Sequence, residues 1–568
     1  VSRGAGDCAE SVARGGRVLL LGTLGSKALR LAGDLIVGRL LGPAAFGVVA
    51  ASTSLVFILT EICQLGVHRG VLRFSSVLES RGEAGRSRAL ARRALVVPLA
   101  GGSVAVVAIT LLREPLTRAL FGAEVDPWLL PVFALAIPLG GAVTVLQFAA
   151  RAAKRFRADA AVGEVARLGF PLVVTCVLIG LGQGLQGVAW GLAAGLFAAA
   201  VAGWFLLEPG RAGAAGAGAA ATAHTARTTD GGDAQRLRDV LRVALPLALA
   251  SSAVLLMNEL DKVLLAVFRP EEEVGLYNAA FRISRQANLL LPALTGSLAP
   301  WVAPLLAEGR ERELHDLYRR TTQWTLAAGL PVFAMLVLFA PQFLSVFGPS
   351  FAGGGPLLIV LALGQLVIAV AGSAAMVLQL SGRENLELRN GAMALGLNVA
   401  MNVALIPAHG AMGAAAATAV SLSFLSVIRV VQVRKTLGAF PWSAATGSAL
   451  SVSVVAAAGA WIAGAAASAL SASDPVIALA ACAGLLAAGL GFVVTVGLDP
   501  ADAAVLPVPR RLVRRRTARV SGASPAARSR GAAPPDPSPA PSAEPASADR
   551  EARGPASAPR PAARRTTS

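Results

Sequence analysis

Charge is scarce in this chain. Only 15% of its 568 residues are Asp, Glu, Lys or Arg, against about a quarter in an ordinary soluble domain, which excludes a string of globular domains bathed in water. Cysteine is scarce too. Cys63, Cys176 and Cys482 fall inside apolar runs and Cys8 in the polar start, with no CxxC pair. No disulfide framework or thiolate metal site follows from that, and the four read as small buried hydrophobes. His68, His224, His315 and His409 are scattered without HExxH or other ligand spacing, and there is no P-loop and no GxSxG elbow. Metal, nucleotide and serine-hydrolase chemistry are thereby set aside; no enzyme activity, catalytic residue, metal or cofactor is expected. The opening VSRGAGDCAESVARGG is polar and mixed in charge, unlike a secretory or transit peptide, so the first apolar segment is expected to stay as a helix.

What the chain has is apolar length: 55% hydrophobic residues, 60 Gly and a mean hydropathy of +0.64. Long runs of Ala, Val, Leu and Gly describe helices that pack closely in lipid. Segments of crossing length recur about fourteen times, near 17–41, 46–66, 89–112, 128–150, 162–182, 185–207, 240–267, 274–300, 321–340, 355–380, 388–407, 410–431, 445–470 and 475–497. Loop charge alternates as it should if every segment crosses. One set of loops carries Arg14 and Arg17, then Arg69 to Arg93, Arg151 to Arg157, Arg211 to Arg242, Arg310 to Arg320, Arg383 and Arg389, and Arg429 to Lys435. The other set, around Pro43, Glu124, Gln183, Glu272, Pro349, His409 and Asp474, offers little beyond Arg113, Arg118 and Arg269. Both termini are therefore expected in the cytoplasm of a multi-pass cell-membrane protein, with no extracytoplasmic domain.

An internal repeat is visible. Asp34 matches Asp261 at a separation of 227, Gly47 matches Gly275 at 228, and Gly122, Gly184 and Gly187 match Gly348, Gly410 and Gly413 at 226. Each repeat holds six spans, so the halves are parallel and a cleft is expected between them. The expected fold is an all-α integral membrane protein of about 14 transmembrane helices: two parallel six-helix repeats plus two extra C-terminal helices, around a central cavity. Its organisation reads as an N-terminal segment 1–16, a first lobe 17–207, a flexible linker 208–239, a second lobe 240–432, two additional spans at 445–497 and a disordered tail at 498–568. The net charge of +18 sits in loops and in that tail, where Arg510, Arg511, Arg514, Arg515 and Arg516 follow the last span. Such a segment is expected against anionic lipid headgroups, and no nucleic acid is expected.

Charge inside the spans stands out, because it is costly in lipid and therefore usually faces a bundle interior or a wet cavity. Lys27, Arg30 and Asp34 share one face of span one. Asn258, Asp261 and Lys262 repeat the theme in span seven, Arg282, Arg285 and Asn288 follow at spacings of three in span eight, and Asn398 and Asn402 are one turn apart in span eleven. The bland reading pairs Arg30 with Asp34 and Asp261 with an Arg, simply to hold helices together. The functional reading lines a cationic cleft with Arg30, Arg282, Arg285 and Asn288 as the substrate-binding set, Arg282 and Arg285 having no clear acidic neighbour on their own helix face. Guanidinium groups there would receive a phosphate-bearing head, and Asp34 and Asp261 would hold a coupling ion. Glu61 reads as a weaker candidate, and Glu164 and Arg167 as interfacial.

GRLLGPAAFGVVAASTSL after the Asp-bearing first span, EEEVGLYNAAFRIS opening the eighth and LIPAHGAMGAAAATAVS across the eleventh-to-twelfth turn carry a resemblance over about 17–497. The chain resembles the polysaccharide exporters and oligosaccharide flippases of the multidrug, oligosaccharidyl-lipid and polysaccharide superfamily. The resemblance implies two six-helix lobes that rock between inward-open and outward-open states. The implied substrate is an undecaprenyl-pyrophosphate-linked oligosaccharide, moved from the inner to the outer leaflet by a monomer that partners polysaccharide polymerase and glycosyltransferases. Three other readings stay open: a lipid II flippase, a cation-coupled multidrug exporter, and a non-transporting membrane scaffold of a polysaccharide assembly complex.

Overall fold

The computed structural model describes residues 2–153, 155, 167–207, 252–288 and 304–442 apart from 307 and 439, with a few isolated positions between 291 and 302. Outside those residues lie the linker 208–239, the extra spans 445–497, the tail 498–568, Glu164 and Cys482, and the side chains of Cys8 and Lys27. Every described element is helical and there is no strand among the described residues. In chain order the helices are α1 (Ser2–Gln64), α2 (Val67–Ser80), α3 (Ala84–Ala94), α4 (Val96–Leu111), α5 (Arg113–Phe121), α6 (Leu129–Ala134), α7 (Ala136–Ala152), α8 (Phe170–Gly180) and α9 (Gly184–Leu207). They continue with α10 (252–268), α11 (Glu271–Ser284), α12 (Glu311–Leu338), α13 (Ala340–Ser345), α14 (Gly355–Ala371), α15 (Ala374–Leu380) and α16 (Glu384–Leu437).

Seven stretches among these residues are long and apolar enough to cross a membrane. Two of them are too long to cross once. Ala28–Gln64 has 37 residues and Asn385–Leu437 has 53; at 1.5 Å per residue they would run about 55 and 80 Å, against a hydrocarbon core of about 30 Å. Both break at a glycine. Gly42 (φ 79, ψ 177) and Gly410 (φ 56, ψ −138) leave the helical region, a conformation that glycine adopts without a Cβ penalty. Pro43 and Pro407 flank the breaks, so α1 and α16 each divide into two arms, as expected for the first and second and for the eleventh and twelfth spans.

The second arm of α1 crosses α11 at a distance that leaves no room for side chains. A Cβ on Gly47 would lie 1.8 Å from the Glu271 carbonyl oxygen, and one on Gly275 would lie 2.0 Å from the Pro43 carbonyl oxygen. Pro43 and Gly47 become Glu271 and Gly275 on adding the repeat offset of 228, so the two contacts are images of each other. A second related pair sits elsewhere: a Cβ on Gly187 would press on Leu178 at 3.0 Å, and one on Gly413 on the carbonyl of Leu405 at 2.5 Å. Small residues at such crossings let backbones approach where lipid offers no hydrophobic drive for helix association. Beside the Gly47 crossing, Phe46, Phe347 and Phe351 are buried with ring centroids 5.6 to 5.9 Å apart. Arg269 donates to the Ile406 and Pro407 carbonyls and Glu273 accepts from the Ala411 N–H, tying α10 and α11 to the break in α16. The Pro43 end of the bundle is thus packed shut.

Candidate functional site

Away from that seal the helices part around a cavity of about 280 Å³. Both arms of α1, α7, α9, α10 and α11 line it, together with Arg167 and Leu168 just before α8. Its walls carry three guanidinium groups, Arg30, Arg167 and Arg282, and three carboxylates, Asp34, Glu61 and Glu259. The lining is therefore formally balanced, where a cationic one was expected. Two of the three guanidinium groups have partners. Arg282 Nε lies 3.3 Å from Asp34 Oδ2, yet neither atom makes a hydrogen bond, so the two groups attract without being aligned. Arg167 approaches Gln147 at 3.5 Å and has further interactions. Arg30 makes no ion pair within 4 Å among the described residues.

Two polar bridges join the halves here, and one member of each is related to one member of the other by the repeat. Position 54 becomes position 282 on adding 228. Arg282 of α11 reaches Asp34 in the first arm of α1, and Ser54 in the second arm of α1 donates a 2.7 Å hydrogen bond to Glu259 of α10. The same Glu259 carboxylate takes an ion pair from Lys262, whose side chain is almost fully buried. Ser54 thus stands where the second half has an arginine, and Lys262 supplies the positive charge on that side.

Asp261 lies apart from the cavity in a closed polar nest. It is fully buried and accepts hydrogen bonds from Tyr277 Oη at 2.9 Å, Asn402 Nδ2 at 2.6 Å and the Thr418 hydroxyl. Asn402 also donates to Asn398 at 3.1 Å. No basic group lies within ion-pair distance of Asp261 among the described residues, so the helix-holding Arg partner considered from the sequence is not there. A carboxylate enclosed this way is costly unless something neutralises it.

The remaining expected site residues go elsewhere. Arg285 stacks over the Phe281 ring at 5.7 Å, and Asn288 donates to the carbonyl and side chain of Gln365 at 2.7 and 3.0 Å. Neither lines the cavity. The acidic partner of Arg282 comes from another helix, which inspection of its own helix face could not reveal. Arg30, Asp34 and Arg282 line one cavity, and Arg167, expected at the interface, joins them. Glu259 was overlooked although it stands in the same run as Asp261 and Lys262. Charge spacing could not find the uncharged lining at all: Thr53, Thr60 and Gln64 on the second arm of α1, Thr144 on α7 and Asn278 on α11.

Comparison with known proteins gives this arrangement a family. A model described as polysaccharide biosynthesis protein matches residues 12–306, and a second, MatE, matches 246–404. The probable flippase AglR of Haloferax volcanii is 29% identical over 192 residues, which cover 33% of this chain and 40% of that protein. The probable low-salt glycan biosynthesis flippase Agl15 of the same organism is 25% identical over 170 residues, 30% of this chain and 36% of that one. The matched part therefore spans less than half of either relative. Among solved structures, the lipid II flippase MurJ in an inward closed conformation superposes with a TM-score of 0.61 at 13% identity, over 84% of this chain and 98% of that one. An inward-facing multidrug resistance MATE family transporter of the MOP superfamily gives 0.58 at 16% identity, over 72% and 94%. The fold is that of these multi-pass membrane transporters, and with a family model matched over more than half of its length, the chain belongs to the polysaccharide biosynthesis protein family.

Proposed function

We propose that this protein is a flippase that moves a lipid-linked oligosaccharide, carried on a polyprenyl diphosphate, from the inner to the outer leaflet of the cell membrane by alternating access. The observation that carries this reading is the cavity itself: it is sealed at the Pro43 end, lies where the two repeats meet and holds Arg30, which makes no ion pair among the described residues, beside the loosely paired Arg282. A diphosphate leaving water must recover its lost hydration from donors or cations. Arg30 and Arg282 offer forked donors that match phosphate oxygens, and Arg282 can exchange Asp34 for phosphate at small cost because that pair has no aligned hydrogen bond. The names of the curated relatives, each a probable flippase, agree with this reading.

In this proposal the Arg-rich loops and both termini face the cytoplasm, the Pro43 end faces outward, and the structure corresponds to a state closed on the outside. Residues 17–207 and 240–432 act as the two lobes, 208–239 as their linker, 445–497 as accessory helices and the basic tail as a contact for anionic lipid. The Asp261 nest is the coupling-ion site: a buried carboxylate with no basic partner among the described residues suits a proton or a small hard cation. The test is translocation of a labelled polyprenyl-diphosphate oligosaccharide in reconstituted vesicles. The Arg30→Ala/Arg282→Ala double variant, expressed and inserted normally, should lose at least about a hundredfold in rate, since two charge-assisted contacts contribute about 1.5–3 kcal/mol each. Translocation at the wild-type rate would remove the proposed site.

A further inference from the structure

The three guanidinium groups of the cavity stand in a row, and the packing of their helices gives the order. A Cβ on Gly33 would touch Leu172 at 3.5 Å, and one on Gly169 would touch Leu29 at 3.6 Å. The first arm of α1 therefore runs beside the start of α8 in the same direction, with Arg30 level with Gly169 and Phe170. Arg167 then lies farther from the sealed end than Arg30, by about 4 Å at a rise of 1.5 Å per residue. Arg282 meets Asp34, which stands one turn, about 6 Å, on the sealed side of Arg30. The row thus runs Arg167, Arg30, Arg282 toward the seal, and all three line the cavity.

The ends of this row differ from its middle. Arg282 has Asp34 at 3.3 Å without a hydrogen bond, and Arg167 has Glu61 within Coulombic reach, a carboxylate that Arg69 and Ser252 also attend. Arg30 feels both Arg167 and Arg282 as like charges, with Asp34 and Glu259 as opposite ones farther down in weight. An anion that bridges two neighbouring guanidinium groups removes their repulsion. A diphosphate between Arg167 and Arg30 draws one guanidinium away from Glu61, and one between Arg30 and Arg282 draws one away from Asp34. Holding all three at once does both, which is the costlier course where water is scarce. Resting on the flippase reading, we propose that Arg167 is the loading contact of this cavity. The diphosphate is held first between Arg167 and Arg30 and then between Arg30 and Arg282, with Arg30 keeping hold throughout. Glu61 takes Arg167 back as the cargo moves on. Arg167 thereby sets how fast cargo reaches the deeper position, and Arg282 sets how tightly it is held there.

Stopped-flow mixing of a fluorescent farnesyl diphosphate with the full-length protein in lipid nanodiscs tests this. In Arg167→Ala, association and dissociation are both expected to slow about tenfold, because one charge-assisted contact is lost from the path in each direction. The Kd should change by less than about twofold, since the deeper position is intact. Arg167→Lys keeps the charge and is expected to bring both rates back to within about threefold of wild type. Arg167→Gln carries the test if the alanine variant is not inserted. A raised Kd with unchanged association would make Arg167 a contact of the final position and overturn the loading role, and so would rates that do not move. The flippase reading fails separately, if the Kd for farnesyl diphosphate is indifferent to Arg30→Ala and Arg282→Ala.

Discussion

Gly47→Ala should open the sealed end. Its new methyl would lie 1.8 Å from the Glu271 carbonyl oxygen, where ordinary contact begins at 3.4 Å. Backbone cannot swing aside as the tip of a side chain can, so α1 and α11 must part by about 1.5 Å or the methyl must be accommodated by strain. Overpacking of this kind costs about 1–3 kcal/mol, and it falls only on the state in which the crossing is made. The equilibrium between sealed and parted outer ends should therefore shift by about 5- to 150-fold toward the parted state. Gly275→Ala, whose methyl would lie 2.0 Å from the Pro43 carbonyl, should do the same. The double variant should add less than the sum, because both substitutions relieve one crossing. Spin labels placed across the Pro43 end report the distance distribution by pulsed electron resonance. Gly353→Ala, whose methyl meets nothing within 4 Å, is the control. Distances in Gly47→Ala and Gly275→Ala that match the wild type would refute the claim that this crossing is the seal.

Three further outcomes follow from particular contacts. Asp261→Asn should leave diphosphate binding intact yet remove any acceleration of transport by a sodium or proton gradient, measured as the ratio of rates with and without the gradient; an unchanged ratio excludes the nest as the ion site. Glu387→Gln should destabilise the protein by about 3–5 kcal/mol, the usual cost of stranding one member of a buried pair, since Glu387 and Arg429 bond each other with side chains only 9% and 15% exposed. A melting temperature in detergent within a degree of wild type would contradict this. Burial and the neighbouring Arg69 guanidinium push the His68 imidazole, in α2 beyond the apolar stretch that ends at Gln64, down to about 4. Its contribution to stability is complete above its unfolded value near 6.5 and is lost as the pH falls through 4. His68→Gln should flatten the fall in melting temperature over that window, and an unchanged slope would sink the assignment.

Much of this architecture was legible because membrane physics writes it plainly. Apolar runs give the helices, and Gly42 beside Pro43 and Gly410 three residues after Pro407 mark the breaks. The constant offset between Gly47 and Gly275 was readable as repetition, but that the two glycines touch was not, because a repeat says which residues are equivalent and not which ones meet. The site was legible only as far as charge. Arg30, Asp34 and Arg282 stood out against lipid-facing neighbours, whereas Arg285 and Asn288 share the spacing of Arg282 and turn instead to Phe281 and Gln365. A periodicity of three or four residues fixes a helix face without saying what that face meets. Thr60, Gln64 and Asn278 escaped altogether, since hydroxyl and amide residues inside spans commonly bond their own or neighbouring helices, and Thr60 does bond Val56 of its own helix.

The most direct measurement of the central claim is cavity access during transport. Phe57→Cys, a cavity-lining position, is introduced after Cys8, Cys63, Cys176 and Cys482 are replaced by Ala, and reconstituted vesicles are exposed to a membrane-impermeant thiol reagent on the side of the Pro43 end. The account expects protection at rest and rapid labelling once lipid-linked oligosaccharide is supplied and being moved. Sustained translocation with that cysteine never reacting from the Pro43 side would contradict it.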